Sequence, residues 1–188
     1  MHEPVKAWQT LESEYIFKET WFNIRKDKVL KGSGREMDRY YVFEFTDWVT
    51  VLPITTDGKV ILVKQYRYAL GEFSYEIPGG VMDAHETDPL ETAKRELREE
   101  TGYAAAEIIK TATISPNPAT QSNLMHCYLA TGCEPKHMQE LDENEEIELV
   151  FVTMEELKQL LRENKIIQSL HISSIFYTLM HLGEMQLP

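Results

Sequence analysis

The sequence predicts an α+β fold, a mixed β-sheet with helices packed against it, entered through an N-terminal antiparallel β extension. Three observations carry this. Aromatic and β-branched residues are interleaved with charges through most of the chain up to Gly80, as in strands with an exposed face. One segment, DPLETAKRELREETG, holds both a helix start and a helix stop. Strands and helices follow it without the even spacing of a βαβ series.

In chain order, YIFKETWFNIRKDKVL and MDRYYVFEFTDW read as strands joined by a turn at KGSGRE. WVTVLPITTDGKVILVKQYRY is a hairpin whose two apolar runs meet at Asp57-Gly58. FSYEIPGG is a further strand that stops at a proline and two glycines. The central helix then starts from Asp88 as cap, with Pro89 at its first position and Glu91 at its third. Leu90, Ala93 and Leu97 form its buried stripe, and Gly102 ends it. AAAEIIKTATI and LMHCYLATG are strands on either side of the loop SPNPATQSN. The polar connection CEPKHMQELDENEE leads to the strand IELVFVT. Thr153 and Glu156 form a capping-box pair at the start of MEELKQLLREN, and SLHISSIFYTLMHL is a core-packing helix.

At 188 residues the chain makes one domain, or one domain with a small extension. Its formal charge of -12 opposes general nucleic-acid binding. A phosphate-bearing small substrate stays possible, because a divalent cation can sit between two negative partners. The opening MHEPVKAWQTLESEY has no apolar core of a signal peptide, and no run of about 18 apolar residues occurs. The expectation is a cytoplasmic protein without membrane attachment. Cys127 and Cys133 suggest no disulfide framework, and with His85 and His126 they show no zinc-ligand spacing.

The acidic half of the central helix invites a chemical reading. Glu96 and Glu100 stand four apart on one face, and Glu99 stands three from Glu96. The spacing lets all three carboxylates meet at one edge, beside a Pro78-Gly79-Gly80 turn whose backbone can come close. Hard divalent cations take such oxygens. A solvated helix face neutralised by Lys94, Arg95 and Arg98 is the competing reading.

These residues resemble the Nudix box, G-x5-E-x7-R-E-U-x-E-E-x-G-U with U apolar. Gly80 and Glu86 match its first half. Arg95, Glu96, Leu97, Glu99, Glu100 and Gly102 match its second half in order, with Tyr103 at the final bulky position. One departure stands out: eight residues, not seven, separate Glu86 from Arg95, which places an extra residue near Asp88. From about Trp8 to Leu182 the chain is similar to the ADP-ribose and nucleoside-diphosphate-sugar pyrophosphatase branch. That resemblance implies an α/β/α Nudix sandwich over residues 48–188. It also implies that the β region of residues 1–47 joins a homodimer and forms part of the nucleotide site.

The resemblance further implies Mg²⁺, or Mn²⁺ in its place, on Glu96, Glu99 and Glu100 with help from the carbonyl of Gly79. Arg95 would orient the carboxylates. Arg67 would hold a substrate phosphate, against the plainer reading of a strand-surface charge. For the base that activates water, Glu143 in the loop from Glu140 to Glu146 matches best. Glu145 is its neighbouring alternative, and the box helix, with Glu99, is a third. Phe17, Trp21, Tyr40, Trp48 and Tyr68 are candidate platforms for a base. Asn117 and Gln121 stand in a loop without acids, which leaves room for sugars other than ADP-ribose, GDP-mannose among them. The expected reaction is metal-dependent cleavage of a nucleoside diphosphate sugar to a nucleoside monophosphate and a sugar phosphate. Cleavage of a dinucleotide or NADH, and a nonenzymatic nucleotide-sugar sensor, are the alternatives.

Overall fold

A computed structural model describes residues 4–185 of the chain. They divide into two compact units, the residues up to Thr46 with Ser115–Leu124, and Asp47–Ile114 with the residues from Met125 onward.

The first unit is an antiparallel sheet in the order β1 (Gln9–Lys18), β2 (Asn23–Leu30), β3 (Glu36–Glu44). The KGSGRE turn forms between β2 and β3, where Gly34 adopts φ 80°, a conformation that favours glycine. The Ser115–Leu124 loop groups with this sheet because the two exchange backbone bonds: Phe43 N–H donates to Thr120 O at 2.7 Å, and Ser122 N–H to Phe43 O at 3.4 Å. The loop therefore belongs to the first unit, although the sequence-based span 48–188 includes it. Every residue of β1 is exposed, including Leu11, Tyr15, Ile16 and Phe17.

The second unit is built on an eight-stranded mixed sheet. Its main path runs β11 (Glu148–Val152), β5 (Val60–Arg67), β4 (Trp48–Thr55), β10 (Met125–Pro135), β8 (Tyr103–Ala104). Off this path β6 (Glu72–Glu76) pairs β5, β7 (Gly79–Val81) pairs β4, and β9 (Glu107–Ile114) pairs β10. Only the β4–β10 pairing is parallel among those of this sheet between described strands. The Asp57-Gly58 turn joins β4 to β5, with Gly58 at φ 80°.

Alternation along the central strands feeds two cores. Val49, Val51, Tyr128 and Ala130 point to the face covered by α1 (Pro89–Thr101), where they meet Ala93 and Leu97. Leu52 and Leu129 point to the opposite face. There they meet Leu157 of α2 (Met154–Arg162) and Ile175 and Leu179 of α3 (Ser169–His181). Each buried Val, Leu or Ile among them contributes about 1.5–3 kcal/mol by leaving water. The outcome is the expected α/β/α sandwich. The Thr153–Glu156 capping box forms with both bonds present. No helix among the described residues is long and apolar enough to cross a membrane.

Candidate active site

The turn after β6 sets the site's backbone. Val51 N–H donates to Pro78 O at 2.8 Å, and Gly79 and Gly80 pair with Thr50 and Val49 on β4. Neither glycine can carry a side chain without displacing a neighbour. A Cβ on Gly79 would overlap the Val49 carbonyl, and one on Gly80 would overlap the Glu96 carboxylate. The two glycines thus admit the strand and the acidic helix to close range.

α1 starts as its sequence predicts. The Asp88 side chain accepts from Leu90 N–H at 2.9 Å, and Gly102, at φ 75°, donates its N–H to Arg98 O at 2.7 Å. Glu91 falls at the third position of α1, as expected. Its carboxylate accepts from Lys94 Nζ at 2.6 Å, so it serves the helix surface.

The extra residue before Arg95 is taken up in the loop without detaching Glu86. The Glu86 carboxylate accepts from Arg95 Nε at 3.0 Å, from Thr92 Oγ1 at 2.9 Å and from Asp83 N–H at 2.9 Å. The Arg95 guanidinium holds it at about 2, below the usual carboxylate range. Arg95 also donates to Glu99 at 3.0 Å and to Val81 O at 3.0 Å, and pairs with Glu96 at 2.9 Å. It ties loop, strand and helix together.

The three helical carboxylates separate into two kinds. Glu99 is occupied by arginines, with Arg95 on one oxygen and Arg98 on the other at 2.7 Å. Glu96 and Glu100 are buried, at 7% and 3% exposure. Burial pushes the Glu96 carboxyl up to about 7 against the pull of Arg95, and Glu99 and Glu145 add to the rise. Burial pushes Glu100 well above its ordinary value. Glu96 adds to that rise, while the Gly79 N–H bond at 3.0 Å opposes it.

Glu96 and Glu99 meet on one Arg95 nitrogen, at 2.9 and 3.0 Å, while the Glu100 carboxylate accepts from the Gly79 N–H. Residues 96 and 100 share a face, whereas residue 99 lies about 100° around the helix from residue 100, toward the arginines. Among the described residues no three His, Cys, Asp or Glu side chains form a group that could hold a metal ion. The chemistry of the donors nonetheless suits a divalent cation. Two buried carboxylates repel one another, and a hard cation would relieve that repulsion. For Gly79, the contact in place is its N–H on Glu100.

The acidic loop distinguishes its two candidate bases. Glu145 folds back on its own turn, where its carboxylate accepts from Asp142 N–H at 3.1 Å. Its charge raises both Glu96 and Glu100. Glu143 is exposed.

Arg67, at the end of β5, is neither a free fork nor a loose surface charge. Its Nε donates to Glu76 Oε1 at 2.9 Å and its NH2 group to Glu76 Oε2 at 2.6 Å. The guanidinium keeps 46% of its side-chain surface exposed and feels the charges of Glu100 and Glu145. Glu76 is fully buried, and its second oxygen also meets His171 Nε2 at 3.2 Å. Burial would raise Glu76, but the bonds from Arg67 and His171 win and hold it well below the usual carboxylate range. Sequence reading missed Glu76 and His171. The available signal was an acid at an inward position of β6, two residues after the buried Ser74.

The remaining candidates fall in separate units. Phe17, Trp21, Tyr40, Asn117 and Gln121 belong to the first. There Phe17 packs on Phe22 with ring centroids 5.2 Å apart, and the Tyr40 hydroxyl donates to Ala119 O at 2.5 Å. Trp21 is 75% exposed, Asn117 O caps a turn to Gln121 N–H at 2.8 Å, and the buried Gln121 Oε1 has no hydrogen-bond partner. Trp48 opens β4 in the second unit, opposite Val81, and Tyr68 lies exposed beyond β5.

Comparison with known proteins adds to this geometry. Residues 45–170 match the NUDIX domain, and residues 8–42 match the nucleoside diphosphate sugar hydrolase N-terminal domain. The chain is 32% identical over 170 residues to the methanol dehydrogenase activator of Bacillus methanolicus, covering 90% of this chain and 91% of that one. It is 33% identical over 159 residues to the ADP-ribose pyrophosphatase of Bacillus subtilis (strain 168), covering 84% and 85%. A crystal structure of an ADP compounds hydrolase superposes with a TM-score of 0.83 over 97% of this chain and 98% of that one. At 20% identity that likeness speaks to the fold alone.

Proposed function

The chain belongs to the NUDIX domain family, as an enzyme related to ADP-ribose pyrophosphatases, and from that premise we propose that it cleaves the diphosphate of an ADP-ribose-like nucleoside diphosphate sugar. The products would be a nucleoside monophosphate and a sugar phosphate. The observation that carries this reading is the buried pair Glu96–Glu100, left without enough cationic partners inside the protein and flanked by Arg67 and Glu145.

Glu96 and Glu100 would hold a divalent cation, Mg²⁺ or Mn²⁺, with Glu99 joining by leaving one of its arginines and the Gly79 carbonyl adding an oxygen. When bound, such a cation neutralises the developing phosphoryl charge. The chain's own groups supply the rest. Arg67 offers the outer edge of its guanidinium to a substrate phosphate while Glu76 fixes the inner edge. Glu145 accepts the proton of the attacking water as the new P–O bond forms and the bridging P–O bond breaks toward the leaving phosphate. Arg95 positions Glu86, Glu96 and Glu99. Placing the base at Glu145 ahead of Glu143 rests on the charge it exerts on both box carboxylates.

We further propose a homodimer joined through residues 1–47, with Phe17, Trp21, Tyr40, Trp48, Asn117 and Gln121 as candidate nucleotide contacts. Support comes from β1, an edge strand with apolar side chains exposed along its length. Sedimentation across a concentration series checks it. A monomer at every assay concentration removes the dimer and leaves the hydrolase intact.

The deciding experiment is turnover with Mg²⁺ against ADP-ribose, GDP-mannose, other nucleoside diphosphate sugars and NADH, with products identified. Monophosphate from ADP-ribose supports the reading. Release from NADH alone moves the substrate to a dinucleotide. No turnover on any diphosphate moves the chain to a nucleotide-sugar sensor.

A further inference from the structure

The Arg67–Glu76 pair does not stand alone. His171 lies on the buried face of α3, more than ninety positions from Glu76 in sequence, and is 5% exposed. It makes two contacts of opposite sense. Its Nδ1 accepts the backbone N–H of Ile77 at 3.2 Å, and its Nε2 faces Glu76 Oε2 at 3.2 Å. A ring nitrogen that accepts a backbone N–H carries no proton, so the bond to Glu76 is an Nε2–H donation from a neutral ring.

Both contacts lead to the site. Glu76 Oε2 receives Arg67 and His171 together, and Oε1 receives Arg67 Nε, so the carboxylate plane is fixed from two sides. Ile77 precedes Pro78 and Gly79, and the Gly79 N–H holds Glu100. One imidazole therefore grips both the side chain that orients Arg67 and the peptide that enters the Pro-Gly-Gly turn.

We infer that His171 is a positioning residue of this enzyme, which holds Glu76 and through it sets the Arg67 guanidinium for an anionic phosphate of the substrate. The inference rests on the reading of Arg67 as the phosphate-binding fork. A bidentate fork binds well only in the plane its partner dictates. Losing the donor to Glu76 lets the carboxylate rotate and takes Arg67 out of register. Substrate then binds more weakly, with little change in the chemical step once bound.

The test compares His171→Phe, His171→Gln and Arg67→Lys, together with the double variant Arg67→Lys/His171→Phe, under saturating Mg²⁺. Gln can accept from Ile77 and donate to Glu76; Phe can do neither. The expected result is a KM about tenfold higher in His171→Phe with kcat changed less than about threefold. Most of the loss should return in His171→Gln, and the double variant should be no worse than Arg67→Lys. An unchanged KM in Arg67→Lys overturns the phosphate role of Arg67. A raised KM in Arg67→Lys beside a normal KM in folded His171→Phe overturns the role of His171 alone. Should His171→Phe fail to fold, ¹⁵N NMR of the wild-type ring decides. An unprotonated Nδ1 with Nε2–H, joined to a normal KM in His171→Gln, supports the assignment. An Nδ1–H tautomer overturns it.

Discussion

Glu76 and Glu100 are both buried acids, one on each side of the Pro-Gly-Gly turn, and the protein treats them in opposite ways. Glu76 receives a bidentate arginine and an imidazole, and its carboxyl is held well below the usual range in spite of its burial. Glu100 receives one backbone N–H and the repulsion of Glu96, and its carboxyl is pushed well above that range. A buried acid that the chain neutralises by itself is scaffold. A buried acid that it leaves under-neutralised is costly in the folded protein, and it is the group with most to gain from an external cation. Glu99 lies between these cases, bound by arginines that a cation would have to replace.

If that contrast holds, removing divalent cations should have the largest effect. Thorough chelation should bring turnover to background, and Mg²⁺ or Mn²⁺ should restore it. Full turnover after chelation would break the functional half of the comparison. The next effect concerns the base. Glu145→Gln should lower kcat by about 10² to 10⁴ at saturating Mg²⁺ and substrate, with the metal requirement kept. Glu143→Gln should stay within a few fold of wild type, because it is Glu145 whose charge raises both box carboxylates. A loss confined to Glu143→Gln would return the base to that position. Normal rates in both would place it on the box helix.

Much of this contrast was hidden in the sequence, and the reasons are physical. Local signals were legible because their partners are near neighbours: Asp88 and Leu90 at the start of α1, Gly102 at its end, the Thr153–Glu156 box, the Asp57-Gly58 hairpin. The two-sided packing followed from strand alternation. What sequence could not supply was the direction of charges whose partners come from elsewhere. Helical spacing grouped Glu99 with Glu96 and Glu100, but it did not show that Arg95 would bridge Glu96 and Glu99 or that Arg98 would take the second Glu99 oxygen. Glu76 and His171 meet only through tertiary packing of α3 on β6 and the turn, and no periodicity reports that. Glu143 and Glu145 differ by which carboxylate the Asp142 N–H holds, a property of a single loop conformation.

A smaller rate effect with a stability effect of unusual sign is expected at Glu100. Glu100→Gln should cost about 10² or more in kcat, within the several kcal/mol that cation polarisation supplies. The same variant, free of metal, should melt higher than wild type at neutral pH, because a buried like-charged carboxylate is gone. Its raised value means that the penalty it removes is present at neutral pH and fades as wild type becomes protonated on acidification. Mg²⁺ should stabilise wild type more than the variant. A fully active Glu100→Gln protein would show that the ligand assignment is wrong.

The smallest effect, and the one that most sharpens the contrast, belongs to Glu76→Gln. Gln keeps the volume but removes the charge that Arg67 and His171 address. Breaking a buried pair costs several kcal/mol when both partners are enclosed, but Arg67 keeps 46% of its side-chain surface in solvent and can recover water. The expected loss is therefore about 1–3 kcal/mol, each kcal/mol shifting the melting midpoint by about 2–4 °C in a chain of this size. The sign with pH follows from the lowered value of Glu76. Its contribution is fully present above the ordinary carboxylate value of 4.5 and is lost as pH falls through its folded value. Wild type should thus exceed Glu76→Gln in stability at neutral pH, and the gap should close on acidification. At neutral pH, without metal, Glu76→Gln should lie below wild type and Glu100→Gln above it. Thermal unfolding of the three proteins from pH 7 downward measures both gaps at once, and equal shifts in the same direction would mean that the two acids are not treated differently after all.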